Sequence, residues 1–225
     1  MSVSRAGSPW LDTSRPIGQR VEMLMAEMTV AEKVGQTHMV ANVEPVADEE
    51  LLRTGAIGAT LHASGATAGN ERDAGVSANN RNAAQRCAVE ASRLGIPLLF
   101  GRDVIHGHRT VFPVPLGMAA AFDDGLLEQA AEIAAAEASV DGIAWTFAPM
   151  LDICEDPRWG RVAESFGEAP ALSGRLAAAA VRGLQGADPS APEAGTTTPS
   201  RSARIRCATC ICDPSAPLST PAFVP

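Results

Sequence analysis

IPLLFGRD, residues 96–103, is the stretch on which the fold turns. It is a short, nearly unbroken apolar run that follows a glycine and ends in Arg102 and Asp103. A strand buried on both faces of a parallel sheet reads this way, because neither face meets water. Working upstream, residues 80–93 have helical periodicity, and Gly95 supplies a left-handed stop. GAIGATLHA, residues 55–63, is a second apolar run broken by glycines and is read as another buried strand. Before it, GQRVEMLMAEM (18–28) places Val21, Leu24, Met25 and Met28 on one helical face. Thr29 then opens TVAE, a capping box in which Glu32 reaches back to the Thr29 amide, and a second helix is expected to run to about Val40.

Downstream, Asp123 or Asp124 caps a helix through Val140, with Leu127, Ala130, Ile133 and Ala134 at core spacing. WTFAPMLDIC (145–154) is the third expected strand, and a last helix spans about Leu172 to Gln185 before Gly186. The order is a helix pair followed by strand and helix three times. Such alternation points to a parallel sheet or a (β/α) barrel. In these folds the chemistry gathers where strands end. Three segments therefore belong to the expected working face: His62 with the loop after it, Arg102–Arg109, and Ile153–Arg161.

Composition narrows the class. Apolar residues make up 46% and charged residues 20% of the 225, as in a globular protein. A net charge of −8 argues against nucleic acid and anionic membrane as partners, since both demand a basic surface. No stretch approaches the roughly 20 apolar residues of a membrane span. The first twenty residues have no apolar core of a secretory signal, so a cytoplasmic location is the default expectation. Five cysteines, three of them crowded at Cys207, Cys210 and Cys212, do not suggest a disulfide scaffold. After Gly186 the chain is rich in Pro, Ser, Thr and Ala without periodicity, and is expected to be irregular or disordered.

Two long words carry a resemblance: RLGIPLLFGRDVIHGHRTVFPVPLGMAAAFD (93–123) and DGIAWTFAPMLDICEDPRWGRVAESFGEAP (141–170). Together with MLMAEMTVAEKVGQ (23–36), they resemble glycoside hydrolase family 3, in its β-glucosidase and exo-β-glucanase branch. The N-acetylglucosaminidase branch fits less well, because its strand-end word usually contains D-x-E-G-G where this chain has RDVIHGHRT. The resemblance implies a partial (β/α)8 TIM-like barrel of about three β/α units with an irregular C-terminal tail. It divides the chain into a lead-in at 1–14, the partial barrel domain at 15–194 and an unrelated tail at 195–225.

In that family the aspartate of the G-x-D-x-x-H-G word accepts hydrogen bonds from sugar hydroxyls, and here it is Asp103. The arginine of D-P-R-W-G-R lines the same subsite and matches Arg158. A carboxylate and a planar guanidinium are sensible grips for a neutral sugar, because charge-assisted bonds are about twice as strong as neutral ones. Without the resemblance, Asp103 could equally cap a turn after its strand. His106 is expected to support the loop through backbone bonds. Arg161, Glu164 and Glu168 are expected to form ion pairs that hold the loop after the third strand, and Trp159 to wedge that loop. Cys154 reads as apolar filler at a strand end. The i, i+2 spacing of His106 and His108 is weak for zinc, and the CATCIC cluster offers three sulfurs with no fourth ligand, so no metal and no cofactor is expected. One departure stands inside the match: FGEAP replaces the usual F-G-E-D-P, so Ala169 stands where an aspartate, in one reading a helix N-cap, is usual.

A retaining glycosidase needs two carboxyl groups about 5–5.5 Å apart. The family's nucleophile aspartate, its acid/base and a sugar-binding K-H-F word come later than the matched region, and none of those words occurs here. Lys33 is the only lysine in the matched region. The expectation is therefore an N-terminal fragment of an exo-acting β-glucosidase, without catalytic residues of its own and inactive alone. Its partner would be a β-glucoside or short β-glucan; the oligomeric state cannot be read. A non-catalytic sugar-binding or regulatory module is the alternative, and complementation by a separately encoded remainder is a third. With GC-rich codons for CATCICDPSAPLSTPAFVP, a one-base shift permits LRDVYLRPVRAAVDAGVRP, which resembles the family's helix after the missing strand. A frameshift near residue 194 is the corresponding expectation.

Overall fold

The computed structural model describes residues 8–61, 74–186 and 206–207, with 74–78 and 206–207 described by their backbone alone. His62, Cys210 and Cys212 lie outside the described residues, as does all of the 195–225 segment except Arg206–Cys207. The described residues fall into two compact units, 8–61 with 74–100, and 101–186 with 206–207.

In the first unit, α1 (Ile17–Glu27) and α2 (Val30–Gln36) lead to β1 (Met39–Ala41), α3 (Glu49–Thr54), β2 (Ala59–Leu61) and α4 (Ala74–Arg86). The capping box is present: the Glu32 amide donates to Thr29 Oγ1 at 3.2 Å, and the Thr29 amide to Glu32 Oε2 at 2.8 Å. α2 stops at Gln36 and does not reach Val40, because the next residues are taken by parallel pairing. Met39, Val40 and Ala41 face Ala59, Thr60 and Leu61 in β1 and β2. Close backbone approach explains the nearby glycines. A Cβ on Gly35 would meet the Gly55 carbonyl oxygen at 1.9 Å, and one on Gly58 the Gln36 carbonyl oxygen at 2.5 Å. The strand expected over 55–63 begins only at Ala59, since the residues before it form this contact.

The helix expected over 80–93 ends early. Its regular part stops at Arg86, and Cys87–Ala91 continue as a π turn. Gln85 explains how α4 is registered on the next strand: the Leu98 amide donates to its Oε1 at 2.8 Å, and its Nε2 donates to the Leu98 carbonyl at 3.3 Å. Leu52, Ile57, Ala59, Ala84, Ala88, Leu94, Leu98 and Phe100 are the buried apolar residues among the described part of this unit. α1 is the helix expected over 18–28, and its apolar face is largely uncovered. Val21 and Met25 are exposed, with no residue of α1 buried among the described residues.

β3 (Leu99–Arg102) crosses from the first unit into the second. Its Leu99 amide donates to the Gly58 carbonyl at 3.0 Å, beside β2. In the second unit follow α5 (Pro115–Ala119), α6 (Asp124–Val140), β4 (Trp145–Thr146), α7 (Pro170–Gln185) and β5 (Arg206–Cys207). Gly101 and Arg102 pair in parallel with Trp145 and Thr146, which pair in parallel with Arg206 and Cys207. β4 is far shorter than the run 145–154, since Pro149 has no N–H to give a ladder. Asp123 caps α6 by accepting from the Leu126 amide at 3.0 Å.

α6 and α7 pack closely because small residues line the crossing. A Cβ on Gly183 would lie 2.3 Å from the Glu128 carbonyl oxygen. Ala119, Leu127, Phe166, Leu176 and Ala180 form the core beneath them. Two ion pairs, Arg182–Glu128 and Arg175–Asp124, tie the outer edges. Parallel strands alternating with helices in chain order are those of a partial (β/α)8 barrel. No described helix is long and apolar enough to cross a membrane.

Candidate functional site at the strand ends

The C-terminal ends of β3 and β4 lead into the loops that carry Asp103 and Arg158. Asp103 follows β3 directly and is exposed, while its neighbours Arg102 and Val104 are buried. The Val104 amide donates to Thr146 Oγ1 at 3.3 Å, and the Ala148 amide donates to the same oxygen. Thr146 is fully buried, so one hydroxyl at the end of β4 fixes the chain on both sides of the cleft edge.

Beyond Asp103 the chain makes a tight hairpin. His106 Nδ1 lies 2.8 Å from the Phe112 carbonyl oxygen, and the Phe112 amide donates to the His106 carbonyl at 2.8 Å. Gly107, at φ +128°, bridges Val111 at the neck; a Cβ there would meet the Thr110 carbonyl oxygen at 2.0 Å. The tip is gripped by an acid of α6 and the acid at its C-cap. Glu137 accepts from the amides of Arg109 and Thr110, both at 2.8 Å, and from Thr110 Oγ1 at 2.6 Å. Asp141 receives His108 Nε2 at 2.6 Å and Arg109 Nη2 at 2.7 and 2.8 Å.

Partial burial pushes the Glu137 carboxyl up, but the Thr110 hydroxyl, the two amides and nearby His108 outweigh it and leave it below its ordinary value. Asp141 follows the same balance, with burial opposed by Arg109 and His108, and is likewise lowered. The sequence reading missed both acids. A signal was there: a helix C-terminus disfavours carboxylates, so Glu137 in the last turn of α6 and Asp141 at its C-cap call for partners from elsewhere.

The loop after β4 holds the other expected residues. Asp156 caps the short 3₁₀ turn Pro157–Trp159 by accepting from the Arg158 amide at 2.9 Å. It also binds the Arg158 guanidinium through Nε and Nη2, which lowers the Asp156 carboxyl. Arg158 is 89% exposed and has further N–H groups facing outward. Arg161 Nη2 meets Glu164 Oε2 at 2.6 Å; Asp152 and Asp103 stand near enough to add to the field that holds its charge. Glu168, expected to join that set, has no ion pair among the described residues. Cys154 is buried, its amide donating to the Gly167 carbonyl. Asp103 and Arg158 share no direct bond. A cavity of about 30 Å³ behind the hairpin, bordered by Val104, His106, Phe112 and Met118, has room for about one water and none for a pyranose. A sugar would have to lie on the open face.

Residues 29–197 match the model of the glycosyl hydrolase family 3 N-terminal domain. The chain is 36% identical over 170 residues to a periplasmic β-glucosidase of Salmonella typhimurium, covering 74% of this chain and 20% of that one. Among solved structures, a β-glucosidase from Listeria innocua in complex with glucose superposes with a TM-score of 0.62 at 38% identity, over 75% of this chain and 24% of its own. A β-glucosidase from Erythrobacter marinus gives a TM-score of 0.71 at 30% identity, over 90% of this chain and 26% of its own. The chain thus spans about a fifth to a quarter of the length of these relatives. With a family match over residues 29–197, the chain belongs to glycosyl hydrolase family 3, and its resemblance within it is to the β-glucosidases.

Proposed function

We propose that Asp103 and Arg158 form part of the terminal sugar subsite of a β-glucosidase-like hydrolase, and that these 225 residues do not hydrolyse a glycoside on their own. The observation that carries the first half is the exposed carboxylate of Asp103 at the end of β3, held by a hairpin that is fastened on two sides. An exposed carboxylate on a stiff support can accept two vicinal hydroxyls without a large ordering cost. Arg158 adds outward N–H groups from the next strand-end loop, where its bond to Asp156 keeps the guanidinium from wandering. A relative of the same family is known in complex with glucose, which supports a glucoside as ligand.

The second half follows from the chemistry of acetal cleavage. Two carboxyl groups must flank the anomeric carbon, one attacking and one transferring the proton. Asp103 stands at the strand-end position that the resemblance assigns to sugar binding, and the words carrying the family's nucleophile and acid/base are not among these residues. A glucoside-binding fragment is the resulting reading, with the frameshift near residue 194 as its proposed origin. Reading the genomic sequence around that codon tests the origin: an intact frame with no family-like continuation in another frame removes it. Cell fractionation tests the compartment, since the cytoplasmic expectation stands beside a relative named as periplasmic.

Titration calorimetry with glucose tests the binding site. Binding by the native chain, lost in Asp103→Ala and weakened in Arg158→Ala, is the expected result. Equal heats for native protein and Asp103→Ala would reject the assignment of Asp103.

A further inference from the structure

We infer that Glu137 and Asp141, in and just beyond the last turn of α6, are positioning residues for the Asp103 carboxylate, acting through the His106–Phe112 hairpin. The inference rests on the reading of Asp103 as a sugar-binding group and extends it to residues that would never touch the sugar. Five groups of the hairpin tip converge on the two acids: the amides of Arg109 and Thr110, the Thr110 hydroxyl, the Arg109 guanidinium and the His108 ring. Bonds donated by backbone amides to charged acceptors are directional and about twice as strong as neutral ones. They fix the main chain of the tip and not merely its side chains.

The hairpin transmits that constraint. Its neck is closed by the reciprocal bonds of His106 and Phe112 and by the Gly107–Val111 bridge. His108 is 1% exposed and its Nδ1 has no partner, so the bond from Nε2 to Asp141 is the polar contact that orients the ring. Two residues separate Asp103 from the neck at His106, and one of them, Val104, is buried and bonded to Thr146. The segment carrying Asp103 is therefore held at one end by β4 and at the other by α6. Releasing the tip leaves the segment fastened on the β4 side alone, by the β3–β4 pairing and the Val104 bond to Thr146.

Amide hydrogen exchange on the full chain tests this directly, with native protein beside Glu137→Ala, Asp141→Asn and Glu137→Gln. In Glu137→Ala, amides of Val104 to Phe112 should exchange at least ten-fold faster, while those of α7 stay within about two-fold of native. Glu137→Gln keeps one acceptor oxygen and should recover part of the protection. Acceleration confined to Arg109 and Thr110, or spread evenly over the whole unit, would overturn the inference. Glucose calorimetry on the same proteins adds the functional readout: a ten-fold or greater loss of affinity in Glu137→Ala is expected, and unchanged affinity would also overturn it. If native protein binds no glucose, the sugar reading of Asp103 falls, and the exchange pattern alone decides whether the acids hold its segment.

Discussion

Glu32 is the most heavily used side chain of the first unit, and replacing it makes a quantitative test of how that unit is held. Its carboxylate accepts from the Thr29 amide and hydroxyl, and from Arg93 Nε at 3.0 Å and Nη2 at 2.5 Å. Arg93 also donates to the Glu27 carbonyl, so one guanidinium joins the end of α1, the start of α2 and the chain after the π turn. The Arg93 bond, opposed by burial and helped by Thr29, brings the Glu32 carboxyl from 4.5 down to about 2. Unscreened, that difference corresponds to roughly 3 kcal/mol of folding free energy. Arg93 is 48% exposed, so solvent screens much of the ion pair, and about 1–2 kcal/mol is the realistic contribution.

The sign follows from linkage. A carboxyl lowered by folding stabilises the native state above its unfolded value of 4.5, and that stability is lost as pH falls towards about 2. Glu32→Gln retains a cap acceptor and loses the charge; Glu32→Ala loses both and should cost about 1 kcal/mol more. Urea denaturation at about pH 7 and about pH 3 measures all three proteins. Native protein should lose about 1–2 kcal/mol more than Glu32→Gln between the two conditions. Parallel losses would mean that Glu32 makes no such contribution, because other carboxylates are common to both proteins.

Other substitutions probe the second unit. Ala169 occupies the N-cap of α7 with extended backbone and no side-chain bond, so Ala169→Asp should raise stability by about 1 kcal/mol in the same urea assay. Gly183→Ala would force a methyl against the Glu128 carbonyl, and the strain of separating α6 from α7 should cost about 1–3 kcal/mol and lower the thermal midpoint. Thr146→Val would leave the buried amides of Val104 and Ala148 without their acceptor, at about 1–3 kcal/mol for each that finds no water, read by chemical denaturation and by faster exchange of those two amides.

The sequence was most informative where local rules and tertiary packing agree. The TVAE cap, the Asp123 cap of α6 and the stop at Gly186 each follow from a side chain or glycine acting on its own neighbours. β1 was hidden because Met39–Ala41 continue the apolar rhythm of α2, and only pairing with Ala59–Leu61 makes them a strand. The exposed face of α1 shows the converse: Val21 and Met25 have helical spacing, but spacing does not say what covers them. At the site, strand ends marked Asp103 and the Arg158 loop, since position in an α/β fold is set by element order. The Glu137–Asp141 clamp was not legible, because it joins a helix end to a hairpin about 30 residues away in sequence. A carboxylate at a helix C-terminus hints at a partner without naming it.

We propose that these residues grip a glucoside without the groups that cleave it. Release of the aryl alcohol from an aryl β-glucoside by the purified chain tests it most directly. No release above the enzyme-free blank is predicted. Steady turnover that disappears in Asp103→Ala would contradict the claim, for it would mean that a nucleophile and a proton donor lie within the chain.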